Sequence, residues 1–168
     1  MSVPSSPDTE RPENLPARSD GFVRGLSEAI VRTAAGVFDA AASSIAVVDD
    51  ATAELIYHAA WGAGAEEIVG VRLEPGFGIA GAAVAAGEGV AVPECRSDPR
   101  FASQIAAGTG YVPNTMLVVP LKRDHAVIGA LSVLDRRDGG PYGPADLPRA
   151  QLFADLAVAA MPPAAQAG

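Results

Sequence analysis

Cysteine is all but missing: Cys95 is the only one in 168 residues. That excludes an intrachain disulfide framework and any cysteine-based zinc cluster, and a lone free thiol suits a reducing compartment. Aromatic residues are scarce at 5%, so the core must come from Ala, Val, Leu and Ile, which the 49% apolar content supplies. Positive charge is in deficit, with 12 Lys and Arg against 20 Asp and Glu, net −8 and a pI near 4.6. Such a balance argues against a nucleic-acid or anionic-membrane surface. No apolar run approaches the roughly 20 residues of a membrane span. The opening MSVPSSPDTERPENLPARSD lacks the apolar stretch of a signal peptide. A soluble cytoplasmic protein without membrane or nucleic-acid partners is expected.

Residues 1–20 hold four prolines, four serines and six charges, too few apolar groups to offset ordering entropy. They are expected to form a disordered tail, with a second short tail at 162–168. The remaining residues, 21–161, fit one domain. Either Ser19 or Asp20 can cap a first helix. Phe22, Leu26, Ile30, Ala34 and Val37/Phe38 then recur at helical spacing, to about Ala41. SSIAVVDD and AELIYHAAWG predict a hairpin, with Leu55, Tyr57, Ala59 and Trp61 on one face of its second strand. GFGIAGAAVAAGEG reads as a glycine-rich turn followed by a small helix, GVAVPE as a short strand, and one helical turn is expected near Phe101–Ala106. MLVVPL and AVIGALSVLD, joined at KRDH, predict a second hairpin. Leu152, Leu156 and Ala160 mark a closing helix. The order implies α+β, an antiparallel sheet with helices on one side.

GFGIAG matches the dinucleotide fingerprint at Gly76, Gly78 and Gly81, but its context does not. Gly89 interrupts the following helix, and the next acidic strand end, Glu94, comes 13 residues past Gly81 rather than about 20. A tight turn bringing backbone close to a pocket is the better account. Cys95 lies near Arg96 and Arg100, cations that would lower a thiol pKa; the preferred reading is a small, partly buried hydrophobe, as free cysteine usually is. His125 falls in a hairpin turn, and His58 on a strand has no second ligand at metal spacing. No sequence pattern assembles a nucleophile, a base and an orienting group. Asp135, Arg136, Tyr142 and Asp146 bracket the last strand and the closing helix; they are either a pin between the two or a solvated loop.

VRLEPGFGIAGAAVAAGEGVAVPECRSDPRF, MLVVPLKRDHAVIGALSVLDRRDGGPYGPADL and the closing helix together resemble a GAF domain, over about Phe22 to Met161. The resemblance implies a central antiparallel sheet with terminal helices on one face and a ligand cavity on the other. The cavity would be roofed by Phe77–Tyr111. Candidates for its wall are Phe77, Ile79, Val84, Phe101, Tyr111 and Met116, and for its rim Asp98 and Arg100. The Asn-Lys…Phe…Asp-Glu motif of cyclic-nucleotide-binding members falls here on Asp135, Arg136, Tyr142, Asp146 and Leu147. The altered Asn and Glu positions disfavour a cyclic nucleotide, while an Arg136–Asp146 pair is expected to survive. Free methionine sulfoxide reductases of the family use several cysteines, one in the glycine-rich turn, where Ala80 stands here. Bilin attachment uses a cysteine beside a histidine, which Cys95 lacks, and a haem could look only to His58. No cofactor is therefore assigned.

These readings imply a non-catalytic sensory domain that binds an unidentified small molecule. The alternatives are a dimerisation or docking module without ligand, or a redox sensor acting through Cys95. Since no output domain fits beside the folded region, the signal is expected to leave through a homodimer of the terminal helices or a separate signalling protein.

Overall fold

The computed structural model describes residues 16–162; of the expected tails 1–20 and 162–168, residues 1–15 and 163–168 lie outside the described ones. The first helical period yields α1, Pro16–Val37. Proline at the first helical position loses no intrahelical bond, so the helix starts before Ser19 and Asp20 and takes in residues that composition assigned to the tail. It also stops short of Ala41. The backbone turns left-handed at Asp39, φ 47°, and Ala40 and Ala41 enter β1, Ala40–Val48. A run of small apolar residues carries no boundary of its own; pairing of Ala40 with Arg136 places the boundary.

The Asp49 carboxylate accepts from the Ala51 and Thr52 N–H groups at 2.9 and 3.0 Å and turns the chain into β2, Leu55–Gly62. After a single turn, α2 (Ala65–Ile68), come β3 (Arg72–Leu73), α3 (Gly78–Ala86), β4 (Val90–Val92) and α4 (Ser103–Gly108). The second hairpin forms as its apolar runs predict, from β5, Met116–Arg123, and β6, Ala126–Arg136. A 3₁₀ turn over Pro144–Asp146 leads into α5, Leu147–Ala160.

The six strands make one sheet in the order β3-β2-β1-β6-β5-β4, every neighbouring pair antiparallel. Helices α1 and α5 cover one face, over a core of Ile45, Leu117, Leu131 and Val133. The other face buries Ala46, Val118 and Ala130 under α3 and the loops around it. Burial on both faces explains why β5 and β6 read as continuous apolar runs instead of alternating ones. Arg123, at the end of β5, donates to the carbonyls of Val158, Met161 and Pro162, placing a cation at the negative end of α5. No helix among the described residues is long and apolar enough to cross a membrane.

Strand β2 departs from simple alternation. Ala59 pairs with Ile45 and Tyr57 with Ala46, which leaves His58 as the extra residue of a bulge. Leu55 and Tyr57 therefore belong to the α3 side, while Ala59 and Trp61 switch to the helix side. The single face expected for all four is divided by one inserted residue.

Candidate ligand cavity

The α3 side of the sheet holds a cavity of about 90 Å³. Its floor is strands β1, β2 and β6, and its roof is the chain from Gly78 to Pro113. The roof depends on the glycine-rich turn. Gly76 and Gly78 have φ of 76° and 74°, a region where only glycine is unstrained. At Gly81 a Cβ would fall 2.8 Å from the carbonyl carbon of Gly76, so the third glycine lets α3 start directly against its own turn. Each glycine of the apparent fingerprint thus answers a steric demand of the roof.

Of the eight residues expected at the cavity, Ile79, Phe101, Tyr111 and Met116 line it. The other four do not. Phe77 is 45% exposed, because it precedes α3 and points away. Val84 packs on the same face without reaching the cavity. Asp98 and Arg100 pair with each other, Nε to Oδ1 at 2.9 Å and Nη2 to Oδ2 at 2.6 Å. That pairing holds the Asp98 carboxyl below its ordinary range and the Arg100 guanidinium above its own. The pair closes the turn whose Asp98 carbonyl accepts from the Phe101 N–H at 3.1 Å.

Strand residues complete the lining, among them Ser44, Tyr57, Ser132 and Leu134. Their signal in the sequence is a polar residue inside an otherwise apolar strand, SSIAVV and ALSVLD. No lining side chain among the described residues carries a charge at neutral pH. Burial pushes the Tyr57 hydroxyl up to about 12, so it stays a neutral donor.

Asp135 ties the roof to the sheet. Its Oδ1 accepts from the N–H groups of Asn114 at 2.8 Å and Thr115 at 3.0 Å, and Oδ2 accepts from the Tyr111 hydroxyl. Burial, then this bond, raises the Tyr111 pKa. Thr115 Oγ1 donates to the Val92 carbonyl at 2.8 Å and accepts from the Tyr142 N–H at 3.0 Å. The Tyr142 hydroxyl reaches the Phe38 carbonyl at the end of α1, and the Phe38 ring meets Phe153 of α5 edge-on at 6.2 Å. Hydrogen bonds and ring contacts run unbroken from the cavity roof to the junction of α1 and α5.

The expected Arg136–Asp146 pair does not form. Arg136 Nη2 binds Asp138 Oδ2 at 2.5 Å, two residues away in the same turn. Asp146 Oδ2 accepts from the Gly143 N–H at 2.9 Å, and its Oδ1 lies 3.7 Å from Arg149. Each charge finds a partner within three residues along the chain, at a smaller entropic cost than a bridge across the loop.

Cys95 is fully buried, and its N–H donates to the Asn114 carbonyl at 2.8 Å. Burial pushes the thiol up to about 12, with the Asp135 and Asp98 carboxylates adding to the effect. The expected influence of Arg96 and Arg100 is reversed, because Arg100 is engaged by Asp98. His58 sits in a separate groove on the helix face beside Arg24; burial and then Arg24 lower its pKa. His125 is exposed in the β5–β6 turn.

A model of the GAF domain family matches residues 23–161, and the chain belongs to that family, whose members are in general regulatory or sensory ligand-binding modules. It is 31% identical over 120 residues to a probable 3′,5′-cyclic phosphodiesterase, pde-5, of Caenorhabditis elegans, a match covering 66% of this chain and 16% of that protein. The chain thus spans about a sixth of that relative's length. In fold it is similar to the free methionine-R-sulfoxide reductase of Neisseria meningitidis, with a TM-score of 0.68, 20% identity, and 84% and 78% of the two chains covered. The GAF domain of a phosphoenolpyruvate-protein phosphotransferase from Coxiella burnetii is similar too, with a TM-score of 0.68, 18% identity and 80% of each chain covered.

The larger groups found in the family do not fit the residues present. A cyclic nucleotide's phosphate would meet no cation in the cavity lining. A haem iron would find no histidine there, His58 being in the groove of the opposite face. Cys95, the attachment point a bilin would need, is not among the lining residues.

Proposed function

We propose that this domain is a non-catalytic sensor that binds a small molecule in the cavity above β1, β2 and β6. Its bound state would be reported by α1 and α5 on the opposite face. The observation that carries this reading is the uncharged cavity itself, joined to those helices through Tyr111, Asp135, Thr115, Tyr142 and Phe38. The single thiol is held protonated, which speaks against a reductase or redox sensor.

Signal output would use a homodimer through the terminal helices, or a separate signalling protein docked on them. Helix α5 turns Ala150, Ala154 and Ala157 inward and leaves Leu152 and Leu156 62% and 57% exposed, one turn apart. That exposed pair also favours a second reading, a docking module that works without ligand.

Native mass spectrometry of freshly purified protein and sedimentation at micromolar concentration test both. A bound small mass on a dimer supports the sensor, and a bare dimer supports the docking module. A bare monomer that binds nothing from a metabolite mixture would overturn both. Leu152→Glu with Leu156→Glu is expected to convert the dimer to monomer without loss of fold.

A further inference from the structure

Ser44 and Ser132 face each other across β1 and β6. On either side of them stand the pairs Ala42 with Leu134 and Ala46 with Ala130, which belong to the cavity side of the sheet. Both serines are buried, at 6% and 3% exposure, and both line the cavity. Tyr57, opposite Ala46 on the next strand, brings a third hydroxyl to the same floor. Unlike the Ser43 hydroxyl, neither the Ser44 nor the Ser132 hydroxyl is a buried group left without a partner; a hydroxyl in so buried a sheet is tolerated where the cavity or a neighbour can satisfy it. Small apolar residues would fill these strand positions equally well. The first turn of α3, uncapped by any side chain, adds N–H donors but no full charge.

We infer that the cavity selects an uncharged molecule bearing a hydroxyl, carbonyl or amide group, seated on Ser44 and Ser132; this rests on the cavity being the ligand site. The lining offers no charged side chain, so an ammonium would surrender its hydration without a counter-charge, and a carboxylate or phosphate would have only the N–H groups of the first turn of α3 to offset the loss. Hydroxyls both donate and accept, which matches neutral polar groups of either kind. The cavity, about 90 Å³, has room for more than a single water.

Propionamide, propionate and propylammonium are three probes of nearly one shape and three charges. Titrated against the ¹⁵N-labelled domain, propionamide is expected to shift the amide resonances of Ser44, Tyr57 and Ser132, and the two ions to leave them unchanged at equal concentration. Ser44→Ala and Ser132→Ala should each weaken propionamide binding about threefold to tenfold, with the ¹⁵N spectrum otherwise that of the folded domain. An ion that shifts these resonances as strongly as propionamide, or alanine variants that bind it unchanged, would overturn the inference and leave the cavity as a ligand site. Absence of any shift from all three probes up to their solubility would instead remove the cavity as the site, and the inference with it.

Discussion

The hydroxyl of Tyr142 donates to the carbonyl of Phe38 at 3.1 Å, across 104 positions of sequence, and their rings meet edge-on with centroids 6.3 Å apart. Tyr142 is 2% exposed, so removing its hydroxyl strands a buried carbonyl at the end of α1. Tyr142→Phe should lower stability by about 1–2 kcal/mol while keeping the ring contact. Urea denaturation reads the loss, and an unchanged midpoint would show that water replaces the bond freely.

Asp135 and Tyr111 form the latch between roof and sheet. In a double-mutant cycle, Tyr111→Phe and Asp135→Asn should couple by about 1–2 kcal/mol. Arg136→Ala and Asp146→Ala, whose charges pair elsewhere, should add within roughly 0.3–0.5 kcal/mol. The reverse ranking would reinstate a bridge between the last strand and α5.

Ser43 occupies the opposite side of β1 from Ser44, opposite Val133 of the helix-side core. Its Oγ is buried without a hydrogen-bond partner. Ser43→Ala should therefore stabilise the domain by about 1 kcal/mol, the penalty typical of an unsatisfied buried hydroxyl. A thermal melt of the two proteins side by side checks the sign.

Cys95 and Tyr57 keep their protons in the folded state up to about pH 12, whereas the unfolded chain releases them from about pH 9–10 upward. The folded state then binds more protons, so stability falls as pH rises through that interval, by up to about 1.4 kcal/mol per pH unit for each group. Cys95→Ala should be less stable than the parent near pH 8, from lost packing, and the gap should narrow by pH 11. Iodoacetamide should modify native Cys95 far more slowly than free cysteine at pH 8. Reaction at the free-thiol rate would contradict the burial.

Much of this architecture is legible in the chain itself. The β5–β6 hairpin follows from two apolar runs around a short polar turn, and α5 from leucines and alanines at helical spacing. The end of α1 is not legible, because Ala34, Ala35, Ala40 and Ala41 fit a helix and a strand equally well. Only pairing of Ala40 with β6 decides it. The faces of β2 are hidden for a related reason, since the bulge at His58 exists only against the register of β1. For the cavity, residue type suggested Phe77 and Val84 while direction excluded them. Ser44 and Ser132, separated by 88 residues of sequence, become neighbours only when β1 and β6 pair.

The three glycines of the turn before α3 have a consequence for how such a cavity changes. Gly76 and Gly78 answer to their positive φ and Gly81 to the closeness of the Gly76 backbone; of the three, Gly78 lines the cavity. The hydroxyls proposed to seat a ligand lie elsewhere, on three strands of the floor. The proposed preference for a polar group and the glycine turn that starts the roof are therefore separable. Substitutions at Ser44, Tyr57 and Ser132 can re-line the cavity for a different molecule while the turn keeps its shape. A change at Gly81 dismantles the roof whatever the ligand. An engineer redirecting this domain would vary the floor and leave the glycines untouched.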